Sequence, residues 1–382
     1  MMKMNKIVYV GLALLLCASC SNDNDPNISS LPEAKISLQV KASGANKRNS
    51  LKAATKASTD ANELPGEAYI NNITAFVFSE DGSQLLSTAP YYQETTPANG
   101  ELTIPNIPAR ATKARIVLVG NADGTLSNIT SYASLEAALC QLSSQAQDNL
   151  TMSSRVIETK ESLVAGDENY IGYESMGDKN INGISTPLEL TRLAARLDIV
   201  NVKTSFTRPE LLGRTVKIES ITVANQKTAS RFFSHDYWGT VFAAGNLATS
   251  TVTAMNLEVD NNTSLAEIAY RSYVMENDGS EEPTELLITA TLSAKVPYLA
   301  ETRVFGAVIN ENGLSAYGHN NIKRNYVYKI ALSFNDESFK SVEPDPDPDP
   351  TPDPDPVYGL VNLAISVAEW NTEVVEVPDI EN

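Results

Sequence analysis

Apolar residues along this chain recur with the two-residue period of β-strands far more often than with a helical period. Runs rich in β-branched and aromatic residues fall at positions 70–78, 115–119, 188–202, 215–223, 285–292, 303–309 and 326–334. Most are short and end at turn residues. Asp81-Gly82, Asn99-Gly100, Asp123-Gly124, Asn182-Gly183, Asp278-Gly279 and Asn312-Gly313 are the pairs that supply the positive φ angles of tight hairpins. A mainly β fold of antiparallel character follows. One helix is predicted over 134–142, because Leu135, Ala138, Leu139 and Leu142 fall at helical spacing behind a serine that can cap. Cys140 sits on or near it and reads as a small buried hydrophobe. A Gly-, Asn- and Asp-rich interval between Gly177 and Pro187 marks a boundary, so two β-sandwich domains are expected, at 49–185 and 186–342. No internal period of roughly 20–50 residues is visible, which argues against a solenoid or propeller.

Both ends of the chain depart from this body. Lys3 and Lys6 precede an apolar stretch at 7–16, then Ala18, Ser19 and Cys20. That is the layout of an export signal, residues 1–19, and the run is about half the roughly 20 apolar residues that span a bilayer. Farther on, Ile36, Leu38 and Val40 alternate with Lys35, Ser37, Gln39 and Lys41, which predicts a strand. Residues 42–62 are rich in Ala, Ser, Lys, Thr and Asn and predict an accessible loop. Within it, Arg48 suits the acidic pocket of a trypsin-like or arginine-specific protease, and Asn49 presents no proline to block a cut.

At the other end, residues 343–356 alternate Pro with Asp after Glu343, interrupted once by Thr351. Proline fixes φ and the aspartates repel one another, so an extended spacer of about 3.1 Å per residue results, with roughly 40 Å of reach. The chain then turns apolar again over 357–382. Val361, Leu363, Ile365 and Val367 alternate with small or polar residues, followed by Trp370. A strand held on such a leash is expected to pair with another chain, since a free apolar edge is an aggregation hazard.

Length and composition set bounds on these readings. At roughly 150 residues per domain, 382 residues predict two domains, and 42% apolar content is enough for a core in each. Forty-seven acidic against 29 basic residues leave a net charge of −18, so most of the surface repels a phosphate backbone and nucleic acid is not an expected partner. Two histidines, His235 and His319, and three scattered cysteines do not make a zinc site. No phosphate-binding loop, nucleophile elbow or paired-histidine zinc motif is present, so no catalytic, cofactor or metal residue is assigned and no enzyme is expected.

In this order the pieces resemble the fimbrillin family, the type V pilus subunits of Bacteroides-type bacteria. The resemblance rests on the export signal, the early arginine in a loop, the 190–202 run containing Ala195-Arg196-Leu197, the Arg324-Asn325-Tyr326-Val327-Tyr328 segment, the Pro-Asp spacer and the terminal strand with Trp370. Cys20 resembles the cysteine of a bacterial lipobox, although Cys17 stands where that pattern usually has Leu. The resemblance implies two transthyretin-like sandwiches and a precursor lipidated at Cys20 on the outer membrane. It also implies that residues 20–48 are removed by a cut between Arg48 and Asn49. Loss of the strand carrying Ile36, Leu38 and Val40 would open a slot for the donor strand of a neighbouring subunit, carrying Val361, Leu363, Ile365, Val367 and Trp370. Expected partners are therefore other copies of the chain and related fimbrial subunits, the maturation protease, and the membrane through the lipid before processing. The tethered tail favours a stalk subunit. A tip or anchor adhesin is the alternative, as is a surface glycan-binding lipoprotein, for which Phe232, Phe233, Tyr237 and Trp238 form the best aromatic cluster.

Overall fold

The computed structural model describes residues 28–42, 63–96, 101–176, 180–233, 243–265, 268–313, 319–339 and 362–369. In chain order the first half runs β1 (Glu33–Ala42), β2 (Asn72–Ser79), β3 (Tyr91–Glu94), β4 (Glu101–Arg110), β5 (Ala114–Gly120), helix α1 (Tyr132–Ala137), β6 (Leu139–Gln141), β7 (Met152–Ser153), β8 (Ile157–Glu158), β9 (Glu168–Ile171) and β10 (Leu188–Arg192). All of these strands except β6 join one sheet. Its order is β3-β2-β5-β7-β10-β1-β4, with β8 added on β5 and β9 on β1.

Over β2 and β5 both faces of that sheet are covered, and β2 shows why the pattern there is continuous instead of alternating: all eight of its residues are buried. Ile73, Ala75 and Val77 point into a core shared with β1 and β4. Phe76 and Phe78, stacked at 5.8 Å, point the other way into a core completed by Leu193, Ala194, Met275 and Val327 from the second half.

The second half contributes β11 (Ala194–Ser205), β12 (Val216–Ala224), β13 (Gln226–Arg231), β14 (Ala243–Ala248), β15 (Thr253–Val259), β16 (Tyr270–Met275), β17 (Glu285–Leu292), β18 (Glu301–Val308), β19 (Tyr326–Asn335) and β20 (Asn362–Glu369). Two four-stranded sheets, β16-β11-β19-β20 and β15-β12-β17-β18, share a core that includes Ile199, Ile221, Ile288, Phe305, Ile330 and Phe334. A third sheet, β14-β13-β6, ties the halves together, with Cys140 opposite Ser230.

Two expectations need correction. The apolar run at 188–202 is not one strand, and the boundary placed at 185/186 falls one strand early. Its first part, β10, pairs with β1 and β7 in the first sheet, and only after Leu193 does the chain enter the second half as β11. Composition marks a polar loop, whereas backbone pairing decides membership of a sheet. The helix predicted over 134–142 ends at Ala137, capped at its start by Ser131, whose hydroxyl accepts the Ser134 N–H at 3.2 Å. Residues 139–141 are drawn off into the ladder with β13. Cys140 is buried there, and burial pushes its thiol above the ordinary range.

Because Phe76 is fully buried where the two halves meet, Phe76→Ala should lower stability by about 3–5 kcal/mol, as read from urea unfolding of the full chain.

Candidate functional site

The strand with the most unusual position is the first. β1 lies inside its sheet with both edges paired. On one side it runs antiparallel to β4, from Glu33 opposite Arg110 to Lys41 opposite Glu101. On the other it runs parallel first to β9, from Lys35 opposite Glu168 to Leu38 opposite Ile171, and then to β10, from Val40 opposite Leu188 to Ala42 opposite Leu190. The residues singled out from sequence, Ile36, Leu38 and Val40, are each 0% exposed and pack in the core with Ile104, Ile107, Ile171 and Leu190. Burial of three such side chains contributes roughly 4.5–9 kcal/mol before ordering costs are subtracted. The peripheral ion pairs, Lys41–Glu189 and Arg110–Glu33 at 3.7 Å, involve exposed carboxylates and add little.

Its opposite face carries a feature that alternation alone does not reveal. Lys35 is exposed and Gln39 and Lys41 are half-buried, but Ser37 in the same row is 2% exposed. The β1–β4 register shifts between Ile36 and Leu38, so that Pro105 and Asn106 together oppose Ser37. Asn106 adopts φ 59° in this bulge, and its N–H is donated to the Ser37 hydroxyl at 3.3 Å. The same hydroxyl donates to Glu168 on β9, whose other carboxylate oxygen accepts the Tyr170 hydroxyl at 3.0 Å. Ser37, ahead of Tyr170 and the Asn106 N–H, holds the Glu168 carboxyl below its ordinary range.

Immediately after residues 43–62, the chain is fastened by buried charge. The Arg196 guanidinium donates to both Glu67 oxygens at 2.7 and 2.6 Å and to Asp198 at 2.9 Å. Tyr273 donates to Glu67 at 2.7 Å, and Arg271 pairs with Asp198 at 2.8 Å. Burial, then the Glu67 charge, pushes the Tyr273 phenol above its ordinary range. Arg192, at the end of β10, bonds the Glu67 carbonyl at 2.8 Å and the Glu63 carboxylate at 3.0 Å. Segment 63–67 is thereby tied to a wall of the β1 site and to the second half. The charges lie far apart in sequence, and the only hint of them was the arginine in Ala195-Arg196-Leu197. Arg324, from the other quoted segment, is likewise structural: it bonds Glu276, Ser230 and the Phe233 carbonyl and so holds β13 in place.

At the far end, β20 runs antiparallel to β19, from Asn362 opposite Ser333 to Glu369 opposite Tyr326. This ladder includes Leu363 opposite Leu332, Ile365 opposite Ile330 and Val367 opposite Tyr328. The ribbon expected to stand clear of its own domain thus closes the edge of its own sheet. The physical reason is proximity: residues 334–361 join two positions that face each other, and loop-closure entropy grows only slowly with loop length. Cys20, Arg48, Asn49, Val361 and Trp370 lie outside the described residues, as do His235, Tyr237 and Trp238. Among the described residues no group of three His, Cys, Asp or Glu side chains could hold a metal ion, and no helix is long and apolar enough to cross a membrane.

Residues 34–192 match the family of the major fimbrial subunit protein FimA, and residues 193–370 match the C-terminal domain of Fim1C-like fimbrium tip subunits. Their junction coincides with the break at Leu193. A protein named as a candidate fimbrium tip subunit, Fim1C of Parabacteroides distasonis, is 42% identical over 342 residues, covering 88% of each chain. The chain belongs to the fimbrillin family. A crystal structure of a candidate cell adhesion protein from Parabacteroides distasonis superposes with a TM-score of 0.77 at 40% identity, over 88% of this chain and 97% of that one. A fimbrilin, FimA, from Porphyromonas gingivalis shares the fold, with a TM-score of 0.56 at 19% identity, over 89% of this chain and 98% of the other. As a fimbrillin, the chain is a β-rich component of a cell-surface fimbrium and associates with other fimbrial subunits.

Breaking the buried cluster from one side leaves an unpaired charge, so Glu67→Ala should cost about 3–5 kcal/mol in denaturant unfolding, well above the effect of Glu189→Ala at the exposed pair.

Proposed function

We propose that this fimbrillin caps a fimbrium at its tip, joining the fibre through the slot that β1 occupies and keeping β20 in its own sheet. The observation that carries the reading is the place of β1: an interior strand lying on the removable side of Arg48. A precursor lipidated at Cys20 is held at the outer membrane until a trypsin-like or arginine-specific protease cuts between Arg48 and Asn49. Residues 20–48 then leave with the lipid, while the Glu67 cluster keeps segment 63–67 in place. Departure of β1 uncovers the unpaired N–H and C=O groups of β4, β9 and β10 and an apolar floor, and a strand from the next subunit fills it by β-strand addition.

Position in the fibre follows from the number of open sites. Donor and acceptor patches differ, so head-to-tail contacts propagate as long as each subunit offers both. With β20 committed to β19, only the slot is open and growth stops here. The C-terminal family match extends through residue 370, past β20, and both that family and the 42% identical relative carry the tip description, which supports this reading.

A stalk role is favoured by a different observation. A connection between facing strand ends takes about 2–5 residues, yet all of 334–361, including the Pro-Asp spacer, separates Ser333 from Asn362. In addition, Ile365-Ser366-Val367 repeats the pattern of Ile36-Ser37-Leu38. In that reading β20 leaves β19 and enters a neighbour.

Limited trypsin treatment of the lipid-free precursor should cut first at Lys47 or Arg48. The trimmed protein should stay monomeric alone and, mixed with an assembling major fimbrial subunit, should shorten the fibres seen by electron microscopy, while the Arg48→Ala precursor should have no effect. Detergent-resistant ladders of the trimmed protein alone, lost on truncation before Val357, would establish the stalk role instead. Shortening by uncut Arg48→Ala protein would sink the slot mechanism.

A further inference from the structure

We propose that the slot selects its incoming strand through the notch now filled by Ser37: the strand that replaces β1 must bring a serine or threonine flanked on both sides by aliphatic residues. This rests on the slot reading above and specifies the chemistry of the partner. Backbone ladders accept any sequence, and the aliphatic floor accepts any strand with the right alternation, so neither sets a register by itself. A polar position buried within the outward-facing row does.

Three features converge on this one position. The bulge turns the Asn106 N–H away from the regular ladder and onto the Ser37 oxygen, so a strand with no acceptor there forfeits that hydrogen bond. From the opposite wall, Glu168 accepts the Ser37 hydroxyl proton. One atom therefore has to accept from one wall and donate to the other. Among side chains short enough for a site that is 2% exposed, the hydroxyls of serine and threonine do both. Alanine and valine do neither, and a charged or longer polar side chain would have to displace β9. The neighbouring outward positions make no such demand, since Lys35 is exposed and Gln39 and Lys41 are half-buried.

The wall residues also support one another. Asn169, next to Glu168 on β9, donates its side-chain amide to the Lys35 carbonyl at 2.9 Å and accepts the Val164 N–H at 2.8 Å, which holds β9 against β1. The Tyr170 ring meets Tyr173 edge-on at 5.2 Å, limiting how far the Tyr170–Glu168 pair can swing. Of these contacts, the Asn169–Val164, Tyr170–Glu168 and Tyr170–Tyr173 pairs involve no atom of β1.

The test uses the mature full-length chain, cut after Arg48, and labelled peptides spanning Glu33–Ala42, followed by fluorescence anisotropy. The native peptide should rebind. Ser37→Thr should bind within about threefold of it, whereas Ser37→Ala and Ser37→Val should be weaker by about tenfold or more. Gln39→Ala, changed at a half-buried position of the same row, should bind like the native peptide. On protein carrying Glu168→Ala, the difference between the native and Ser37→Ala peptides should shrink. If the native peptide rebinds and Ser37→Ala binds as tightly, the notch proposal is overturned while the slot survives. If the native peptide does not rebind to the cut protein, it is the slot reading that fails.

Discussion

A strand paired along both edges cannot leave a sheet without stripping hydrogen bonds from two neighbours and opening the apolar floor beneath it. β1 is held in that way by β4 on one side and by β9 and β10 on the other. While it is present, β4, β9 and β10 are joined through it into one sheet. In the proposed mechanism, the vacancy left by its departure is itself the driving force for refilling. This one element is joined to the following chain through residues 43–62, and the segment after them is fastened independently of it.

That independent fastening is electrostatic as well as apolar. Glu67, Arg192, Arg196, Asp198 and Tyr273 would each be costly to bury alone, and together they satisfy one another across the junction of the two halves. Their placement ties segment 63–67 to β10 and to β11. The shared aromatic core around Phe76 and Phe78 does the same on the opposite face of the first sheet. Of the strands beside β1, β10 is thus supported independently, by β7 and by the cluster, whereas β4 and β9 ladder only with β1.

The two ends of the chain play complementary parts. The front strand is apolar on one side and carries a buried hydroxyl on the other, and the back strand closes the sheet edge beside β19. Under the proposed function, whether the back strand stays there or is given to a neighbour decides how many open sites a subunit has, and with that whether a fibre continues or ends.

Alternation of apolar and polar residues was sufficient to identify the β class, the strand at Ile36, Leu38 and Val40, and the terminal strand containing Leu363, Ile365 and Val367, because a period of two follows from the geometry of a single extended chain. The export signal and the Pro-Asp spacer are expectations from local composition and lie outside the described residues. The tertiary structure decided what depends on distant partners. Ser37 reads as an outward polar residue until β9 and the Asn106 bulge, respectively some 130 and 70 positions away, close over it. Glu67 meets Arg196 across 129 positions. The run at 188–202 divides at Leu193 and the helix stops at Ala137 because other strands compete for their backbones. The edge on which β20 settles was likewise set by which neighbour had hydrogen-bonding groups free within reach, a property of the assembled sheet and not of the strand.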